Sequence, residues 1–324
     1  MNRIVLLVLL WPLAIGSADA RRATPEPVAL ARNGNRVDVA IAGRPFTTFY
    51  FDPSVAKPYF FPLRSAAGTI VTRGFPATSE IAGEDRDEPH QRPMYFAHGD
   101  INGFDFWGEA AFPKWSDHAA STFGRTRFKE LNDIHGGSDS GGFQATFDLV
   151  TPAGTIAEEV QTYRFAGDEQ ARSIDCEFTI RATHGPIAIG DTKEGTFAIR
   201  VVKALKSPPG HMVNADGRSG ERGIWGKRSP WVDYAGRVAG EDVGIAIFDH
   251  AQNPRPAYWH ARAYGLFAAN PFGVRQFTGD RRQDGTYPIA AGQSLTLRYG
   301  VLIHHGTTQA AAIADAYRRF VEHE

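Results

Sequence analysis

Segments in which apolar and polar residues strictly alternate constrain the fold of this chain more than any other feature. In the clearest of them, residues 174–181, every second residue is apolar and the residues between are charged or polar. Successive side chains of a β-strand point to opposite faces, so this pattern predicts a strand with one buried face. Cys176 falls on the apolar face, where we expect an unreactive thiol. Similar alternation at residues 37–41, 143–149 and 295–303 predicts further strands.

Turn signals connect the predicted strands, and one helix closes the chain. Asn33–Gly34 and the Thr-Pro-Ala-Gly sequence at 151–154 predict hairpin turns. Residues 308–320 carry apolar residues at helical spacing, whereas residues 208–223, rich in Pro, Gly and polar residues, predict a long loop. Strands without intervening helices argue against βαβ units. The predicted fold is all-β: a large antiparallel β-sandwich or supersandwich with a short C-terminal helix.

The first twenty residues are typical of a secretory signal peptide. A positive charge at Arg3 precedes the apolar residues 4–15, and Ala-Asp-Ala at 18–20 matches a small-x-small cleavage site. No later segment of the sequence approaches the roughly 20 apolar residues that a membrane span requires. We therefore expect residues 21–324 to form one periplasmic or secreted domain.

Cysteine count, charge and motifs exclude several classes of protein. A single cysteine rules out a disulfide within the chain, and 35 basic against 36 acidic residues give a net charge of −1. Such a balance does not indicate a nucleic-acid or anionic-membrane partner. The sequence has no HExxH, CxxC, GxSxG or P-loop motif. We expect no cofactor, and the oligomeric state is open.

Residues 90–109, HQRPMYFAHGDINGFDFWGE, hold the highest density of potential functional groups. Rigid hydrogen-bonding side chains stand beside aromatic rings and glycines, a pattern typical of sites that grip a polar, ring-shaped ligand such as a sugar. The alternative is a loop whose histidines and acids satisfy one another. The candidate site residues in this segment are His90, Arg92, His98, Asp100, Asn102, Trp107 and Glu109.

Some of these side chains could also ligate a metal ion. Their spacings match no standard zinc or iron template, so we predict no tightly bound metal and keep a divalent ion as the alternative. The possible ligands are His90, His98, Asp100, Glu109 and His135.

Three later segments carry further candidates. At residues 191–195 an acid, a base and an acid precede a predicted strand, where Lys193 and Glu194 can project into a cleft. Residues 225–234 place two tryptophans around an arginine and an acid, and residues 258–270 place a histidine among aromatic rings. The alternatives are a charged turn with internal ion pairs and aromatic residues that pack inward. The candidates in the last two segments are Trp225, Arg228, Trp231, Asp233, Trp259, His260, Tyr264 and Asn270.

Several long motifs resemble the secreted bacterial proteins labelled PmoA family. That label borrows the name of a methane monooxygenase subunit, a multi-span membrane protein, so we exclude methane oxidation. Family members usually read D-H-P-H-H-R where this chain has D-E-P-H-Q-R at residues 87–92. If the histidines replaced by Glu88 and Gln91 are needed for catalysis or metal binding, this protein is altered or inactive. The resemblance rests on residues 57–76, 88–109, 191–201, 231–236 and 258–273.

The order of elements is also similar to the galactose mutarotase-like supersandwich, a fold that hosts aldose epimerases, polysaccharide lyases and some glycosidase domains. The resemblance implies an early His/Arg group, filled here by His90, Arg92 and His98, and a mid-chain residue, filled by Lys193 or Glu194. No late Asp or Glu stands where the epimerase base is expected. Fold analogy alone does not assign a function.

The leading hypothesis is general acid/base chemistry on a sugar: mutarotation, epimerisation, β-elimination or hydrolysis. His98 is the first choice as acid/base, Arg92 would hold oxyanion charge, and Glu194 or Asp100 would orient the histidine. The alternative is a non-catalytic carbohydrate-binding protein that relies on its tryptophans. We expect at least four of seven residues to line one pocket, away from the C-terminal helix. The seven are His90, Arg92, His98, Lys193, Glu194, Trp231 and His260.

Overall fold

A computed structural model describes residues 24–78, 81, 83–112, 122–309 and 311–322. The predicted signal peptide lies outside the described residues. Within them the chain forms eighteen strands and three α-helices, and every named strand pair is antiparallel.

The strands, in chain order, are β1 (Val28–Arg32), β2 (Arg36–Ile41), β3 (Arg44–Tyr50), β4 (Tyr59–Phe60), β5 (Met94–His98), β6 (Arg125–His135), β7 (Ser140–Thr151), β8 (Gly154–Gly167), β9 (Ala171–Arg181), β10 (Ile187–Ile189), β11 (Gly195–Arg200), β12 (His211–Asn214), β13 (Trp231–Val238), β14 (Glu241–Asp249), β15 (Tyr258–Ala261), β16 (Leu266–Asn270), β17 (Tyr287–Ile289) and β18 (Ser294–His305). The helices are α1 (Gly220–Ile224), α2 (Val274–Thr278) and α3 (Ile313–Glu322).

Two eight-stranded sheets make up most of the fold. Sheet I has the order β1-β2-β3-β4-β5-β11-β16-β15, and sheet II has the order β12-β13-β14-β18-β9-β8-β7-β6. Strands β10 and β17 form a separate ribbon. The predicted all-β class with large antiparallel sheets is confirmed.

The hydrophobic core lies between the inner faces of the two sheets. Phe96 on β5 stacks on Phe178 on β9 with ring centroids 4.1 Å apart, and Phe197 on β11 stacks on Tyr299 on β18 at 5.2 Å. Cys176 is buried in the same core, as predicted, and burial raises the pKa of its thiol well above the usual value. The alternating pattern thus selects the residues that join the two sheets.

Both predicted hairpin turns are present, but two other predicted elements differ. Residues 308–320 were expected to be helical, yet α3 begins only at Ile313, because Ala312 has a left-handed backbone (φ 48°) that interrupts a helix. The predicted loop 208–223 contains β12 and part of α1, because β12 pairs with β13 at the edge of sheet II. Pairing with a neighbouring strand overrides the local turn-like composition.

The outer faces of the two sheets are covered differently. On sheet II, α3 packs its Ile313 and Ala316 against Trp231 and Phe248. On sheet I, loops from residues 61–93 and 101–112 bring charged and polar side chains over the strands. The outer face of sheet I is therefore the polar one.

Candidate functional site

Three alanines lie at the centre of the outer face of sheet I. Ala97 on β5, Ala198 on β11 and Ala268 on β16 are at most 4% exposed, and Ala198 is the direct partner of Ala268. All three belong to the small apolar cluster on this face rather than to the core between the sheets. We call them the alanine floor. Their methyl side chains leave space above the sheet for larger groups from the edges.

Polar side chains stand at both ends of this floor. Tyr95 is the cross-strand partner of Ala198, and His260 is the cross-strand partner of Ala268. Tyr95, Ala198, Ala268 and His260 thus form a row across four neighbouring strands. Three strand spacings of ~4.8 Å make this row about 14 Å long. Thr196 and Asn270 follow in the next row, beside Ala97 and Tyr258. The arrangement is an apolar base flanked by hydrogen-bonding groups.

Glu194 supplies the carboxylate of the site. It directly precedes β11, and its side chain is 25% exposed and forms an ion pair with Lys193. Burial raises the pKa of Glu194, but His260, Lys193 and His90 outweigh that effect and hold the pKa below its usual value. An ionised carboxylate therefore lies near two imidazoles at the solvent-accessible edge of the site.

Both imidazoles are neutral at neutral pH. Burial, reinforced by the charge of Lys57, lowers the pKa of His90 to about 4. Burial also lowers the pKa of His260, against the opposing effect of Glu194. His260 Nδ1 lies 3.1 Å from the carbonyl oxygen of Lys193, which can only accept, so Nδ1 carries the proton and Nε2 is the basic nitrogen.

Buried polar atoms without a hydrogen-bond partner are frequent on this face of the described structure. They include Nδ1 of His90, the hydroxyl groups of Tyr95 and Thr196, and the indole N–H of Trp107. Buried polar groups are normally hydrogen-bonded, so such a group of unsatisfied atoms needs an explanation. Ordered water or a polar ligand would satisfy them.

Two buried arginines anchor the loop that carries His90. Arg200 donates to both carboxylate oxygens of Asp87, at 2.9 and 3.0 Å, and to Gln91 Oε1 at 2.5 Å. Arg73 donates to Asp87 Oδ1 at 3.1 Å and to the carbonyl of Gln91 at 2.8 Å. Gln91, one of the two departures from the pattern usual in the PmoA-labelled proteins, is thus held in this network by Arg200.

The other departure, Glu88, lies at the rim of the site. Its backbone is left-handed (φ 44°), and its side chain is 34% exposed, with Oε2 3.7 Å from Nε2 of His90. Burial, together with the charge of Asp87, raises the pKa of Glu88 above its usual value. Glu88 and Glu194 therefore shift in opposite directions, a condition in which one carboxyl group can act as an acid and the other as a base.

Arg92 and Glu109 form a buried bidentate ion pair. Arg92 donates to Glu109 at 2.8 and 2.5 Å, and Nζ of Lys57 lies 3.0 Å from the same carboxylate. Lys57 also donates to the carbonyl of Trp107 at 2.6 Å. This cluster holds the segment next to His90 in place, and the Arg92 charge is already paired with a carboxylate.

His98 lies on the opposite face of β5 from Tyr95. Its Nε2 is 2.8 Å from the carbonyl oxygen of Gly190, and its ring packs edge-on against Phe272 at 5.5 Å. Burial lowers its pKa, although the Gly190 hydrogen bond opposes this. The structure does not bring His98 together with His90, Glu194 and His260.

The residues after β5 form a turn. Asp100 accepts a hydrogen bond from Gly103 N at 2.8 Å. Asn102, with φ 53°, accepts from Ala188 N at 2.7 Å and donates to the carbonyl of Pro186 at 3.2 Å. The Asp100 side chain thus closes the turn itself, and the Asn102 side chain ties the turn to β10.

Three of the four predicted ligand-binding tryptophans are buried. Trp107 packs on Tyr95 at 4.9 Å, Trp231 lies under α3, and Trp259 donates to the carbonyl of Ser229 from the core. Their exposed fractions are 1%, 8% and 0%, so their rings present no free face to a ligand. Asp233, on β13 of sheet II, lies 3.1 Å from His304 Nε2.

An aromatic rim borders His260. Phe277 on α2 lies 5.5 Å from both Trp225 and Tyr258 and 6.2 Å from the His260 ring, between ring centroids. Trp225 and Tyr258 are half-buried and Arg228 is exposed, with its guanidinium 4.4 Å above the Tyr258 ring. Phe277 is only 6% exposed and packs on Tyr258, so the half-buried Trp225 is the ring of this rim best placed to stack on the C–H face of a sugar.

Tyr264 and Asn270 hold neighbouring residues of the site in place. The Tyr264 hydroxyl accepts from Gln91 at 3.3 Å, and its ring lies 4.4 Å from the guanidinium of Arg200. Asn270 is fully buried and donates to the carbonyl of Thr192 at 2.8 Å, which fixes the turn before Glu194.

Of the seven residues predicted to line one pocket, Lys193 contacts both Glu194 and His260, and His90 lies close enough to Glu194 to affect its pKa. A pocket shared by these residues stays a prediction. Arg92 lies beside them, whereas His98 and Trp231 lie elsewhere. Their catalytic roles stay predictions. The sequence analysis missed five residues of this site. A charged residue within an otherwise apolar segment, such as Arg200 in β11, is the pattern that could have identified them. The missed residues are Lys57, Arg73, Asp87, Tyr95 and Arg200.

Other functional features are limited in the described part of the chain. No group of three or more His, Cys, Asp or Glu side chains there is arranged to hold a metal ion, and no helix there has the length and apolar character to cross a membrane. A groove of about 1460 Å³ lies on the outer face of sheet II. Two ion pairs lie along it, Arg298 with Glu177 at 2.9 Å and Arg164 with Asp175 at 3.3 Å.

Comparison with known protein families gives one match. The profile of DUF6807, a family of unknown function, matches residues 36–318. No curated protein matches the sequence.

Several solved structures are similar in fold at low identity. The α-galactosidase from Lactobacillus brevis aligns with a TM-score of 0.40 and 6% identity over 86% of this chain and 39% of that protein. A galactose mutarotase-like protein from Clostridium acetobutylicum aligns with a TM-score of 0.42 and 9% identity over 86% of this chain and 98% of that protein. A putative aldose 1-epimerase from Klebsiella pneumoniae aligns with a TM-score of 0.40 and 8% identity over 91% of this chain and 87% of that protein. The chain thus spans about two fifths of the α-galactosidase.

Proposed function

Because this chain belongs to DUF6807, a family of unknown function, we propose its function from the site itself: acid/base chemistry on a carbohydrate bound beside Glu194, at the edge of the outer face of sheet I. One observation carries the proposal. The ionised Glu194 carboxylate lies near two neutral imidazoles, His90 and His260, at the edge of a polar cluster.

The geometry supplies a base and a group that stabilises its charged form. Nε2 of His260 is free to accept a proton from a sugar hydroxyl or C–H group, because Nδ1 already donates to Lys193. The resulting imidazolium is stabilised by Glu194. A neutral base near a fixed carboxylate is a common arrangement for general acid/base catalysis.

Two further groups would contact the sugar. Burial raises the pKa of Tyr95 well above its usual value, so its hydroxyl stays protonated and can donate to a sugar oxygen. The raised pKa of Glu88 makes it the candidate proton donor on the rim side. The ring of the sugar would lie between these groups and the aromatic rim of Trp225, Tyr258 and Phe277.

The same proposal extends to location: the protein would act on its sugar in the periplasm or outside the cell, as the N-terminal sequence pattern predicts. The alternative function is sugar binding without turnover. It is less favoured, because Trp107, Trp231 and Trp259 have no free ring face.

A saccharide screen tests the proposal. Thermal shifts would be measured with glucose, galactose, mannose, their uronates and their 6-sulfates, and with oligosaccharides, followed by NMR of every sugar that stabilises the protein. Changed sugar resonances with the wild type, absent with Glu194→Gln, support catalysis. Stabilisation with unchanged resonances supports the binding alternative. If no saccharide stabilises the protein or changes its resonances, the proposed function is wrong.

A further inference from the structure

We propose that a cavity between Arg228 and Arg255 binds an anionic substituent, a carboxylate or a sulfate group, of the saccharide. This inference rests on the proposed function and names the class of its substrate. The cavity has a volume of about 280 Å³. Its lining residues are Arg228, Arg255, Pro271, Val274, Gln283, Asp284 and Gly285.

Both arginines are held in place by aromatic rings. The guanidinium of Arg228 lies 4.4 Å above the ring of Tyr258, and that of Arg255 lies 5.1 Å above the ring of Tyr287. Arg255 also donates to the carbonyl of Gly285 at 2.5 Å. A guanidinium fixed by stacking loses less conformational entropy when it binds an anion, which favours affinity.

The positive charge of the cavity is not neutralised by ion pairs. Among the described residues, neither Arg228 nor Arg255 lies within ion-pair distance of a carboxylate. Asp284 is on the rim, but its side chain is 63% exposed and lies 3.7 Å from Arg275. The nearby Asp191 carboxylate accepts from the backbone N–H groups of Arg275 and Gly285. Two cations and one exposed carboxylate, that of Asp284, therefore line one small cavity, which keeps a net positive charge.

The cavity adjoins the candidate catalytic groups. Tyr258, under Arg228, is two residues before His260 on the same face of β15, a separation of about 7 Å along a strand. Phe277 contacts both rings. A cavity of 280 Å³ is too small for an oligosaccharide but suits one charged substituent or a single ring. A uronate or sulfated sugar could thus reach His260 while its anionic group meets the arginines.

Sulfate titration tests the anion site independently of any sugar. The Nε–Hε NMR signals of Arg228 and Arg255 are assigned with Arg228→Lys and Arg255→Lys, then followed during addition of sodium sulfate at constant ionic strength. We expect saturable shifts of both signals, and no shift of Arg237, an exposed arginine paired with Asp242 on sheet II. If neither signal shifts, the anion site is wrong.

Matched saccharides test the substrate class. Dissociation constants are measured for glucose, galactose and mannose, their uronates and their 6-sulfates. A charge-assisted pair predicts an anionic sugar bound about tenfold more tightly than its neutral form. Comparing the uronates with the 6-sulfates shows whether the site prefers a carboxylate or a sulfate group. Arg255→Gln, which removes the arginine that stacks on Tyr287 outside the aromatic rim, should remove this advantage without weakening the neutral sugar, and Arg237→Gln should change neither. Equal affinities for neutral and anionic forms overturn the inference.

The two proposals fail separately. If saccharides bind but sulfate shifts neither arginine signal, the anion site is wrong and the proposed function stands. If sulfate shifts both signals but no saccharide binds or reacts, the proposed function is wrong and the anion site stands.

Discussion

Gly99 and Glu194 are in direct contact. The N–H of Gly99 donates to the carbonyl of Glu194 at 2.7 Å, and a Cβ on Gly99 would lie only 2.8 Å from the Cβ of Glu194. Gly99 follows β5 and Glu194 precedes β11, so this contact sets the height of the carboxylate above the alanine floor. The missing side chain at residue 99 is what permits the approach.

Gly99→Ala should therefore displace Glu194. The added methyl group would push the Glu194 backbone, because its contacts include the Glu194 carbonyl oxygen at 3.1 Å as well as its Cβ. We expect about a tenfold or greater fall in kcat/KM on the identified sugar, and a loss of about 1–3 kcal/mol of stability. The matched control is Gly223→Ala, where the new Cβ meets nothing closer than 3.5 Å. Unchanged kinetics of Gly99→Ala would contradict the assigned role of this contact.

Glu194→Gln should abolish most of the activity while leaving the fold intact. The amide keeps the shape of the side chain but cannot stabilise a protonated His260. We expect kcat/KM to fall by about 100-fold or more, the scale of lost acid/base assistance. Circular dichroism and thermal unfolding would verify the fold. Full activity of a folded variant would contradict the mechanism.

The acid limb of the pH profile of kcat/KM, where activity is lost as pH falls, should lie below the usual pKa range of histidine. Activity requires an ionised Glu194 and neutral His90 and His260, and each of the three pKa values is lowered. As pH falls, activity should therefore persist below pH 6.5 and decline only as the two imidazoles gain protons at their lowered pKa values, that of His90 being about 4. His135→Gln, on the exposed edge strand β6, should leave the profile unchanged. An acid limb centred at 6.5 would refute this assignment.

Asp87→Asn should destabilise the fold through Arg200. The variant leaves a fully buried guanidinium without its carboxylate partner, while the Asp87 side chain itself is 43% exposed. With that exposure taken into account, we expect a loss of about 1–2 kcal/mol in the free energy of unfolding, measured with urea. Asp148→Asn, which breaks a surface pair with Arg127, should cost less than about 1 kcal/mol. Equal losses for the two variants would show that Arg200 does not depend on Asp87.

Glu159 should make the stability of the fold decrease as pH rises. This side chain is 2% exposed on the inner face of β8, and burial raises the pKa to about 7, against the hydrogen bond donated by Gln161. Because the pKa is higher in the folded state, the contribution of Glu159 to the free energy of unfolding is fully present below about pH 4.5 and is lost as pH rises through 7. At 1.36 kcal/mol per pKa unit the change is about 3 kcal/mol.

Glu159→Gln tests this relationship. The amide cannot ionise, so we expect higher stability than the wild type at pH 8 and a flatter profile of unfolding free energy against pH. Glu158→Gln is the opposite control. Hydrogen bonds and charges from Lys129 and Arg181 lower the pKa of Glu158, so its loss should reduce stability at pH 8. A parallel pH profile for wild type and Glu159→Gln would refute the prediction.

Strands with one apolar face could be predicted from the sequence, and those without one could not. Alternation identified the strands at 174–181 and 295–303, because each packs one face against the core. Strand β6 was missed, since it is an exposed edge strand with little alternation. Strand β5 is buried on both faces, which removes the polar half of the pattern.

The site was only partly predictable for a related reason. The densities of charged and aromatic residues at 90–109 and 191–195 indicated the correct segments, but a segment does not say which face a side chain occupies. His98 is two residues after Phe96 on β5, so both side chains lie on the same face of the strand. Because Phe96 is a core residue, this spacing indicates that His98 points into the core. The convergence of His90, Glu194 and His260 depends on the strand order β5-β11-β16-β15, which no local pattern contains.

The alanine floor fixes how closely the larger side chains of this face can approach the sheet. Each of its three positions carries a single methyl group, and the sheet beneath is packed on the core. Tyr95 and His260 are the direct cross-strand partners of Ala198 and Ala268, so a valine at either position would crowd the polar side chain beside it. The size of the floor residues and the placement of the two polar groups are therefore coupled, and a change in one requires an adjustment of the other.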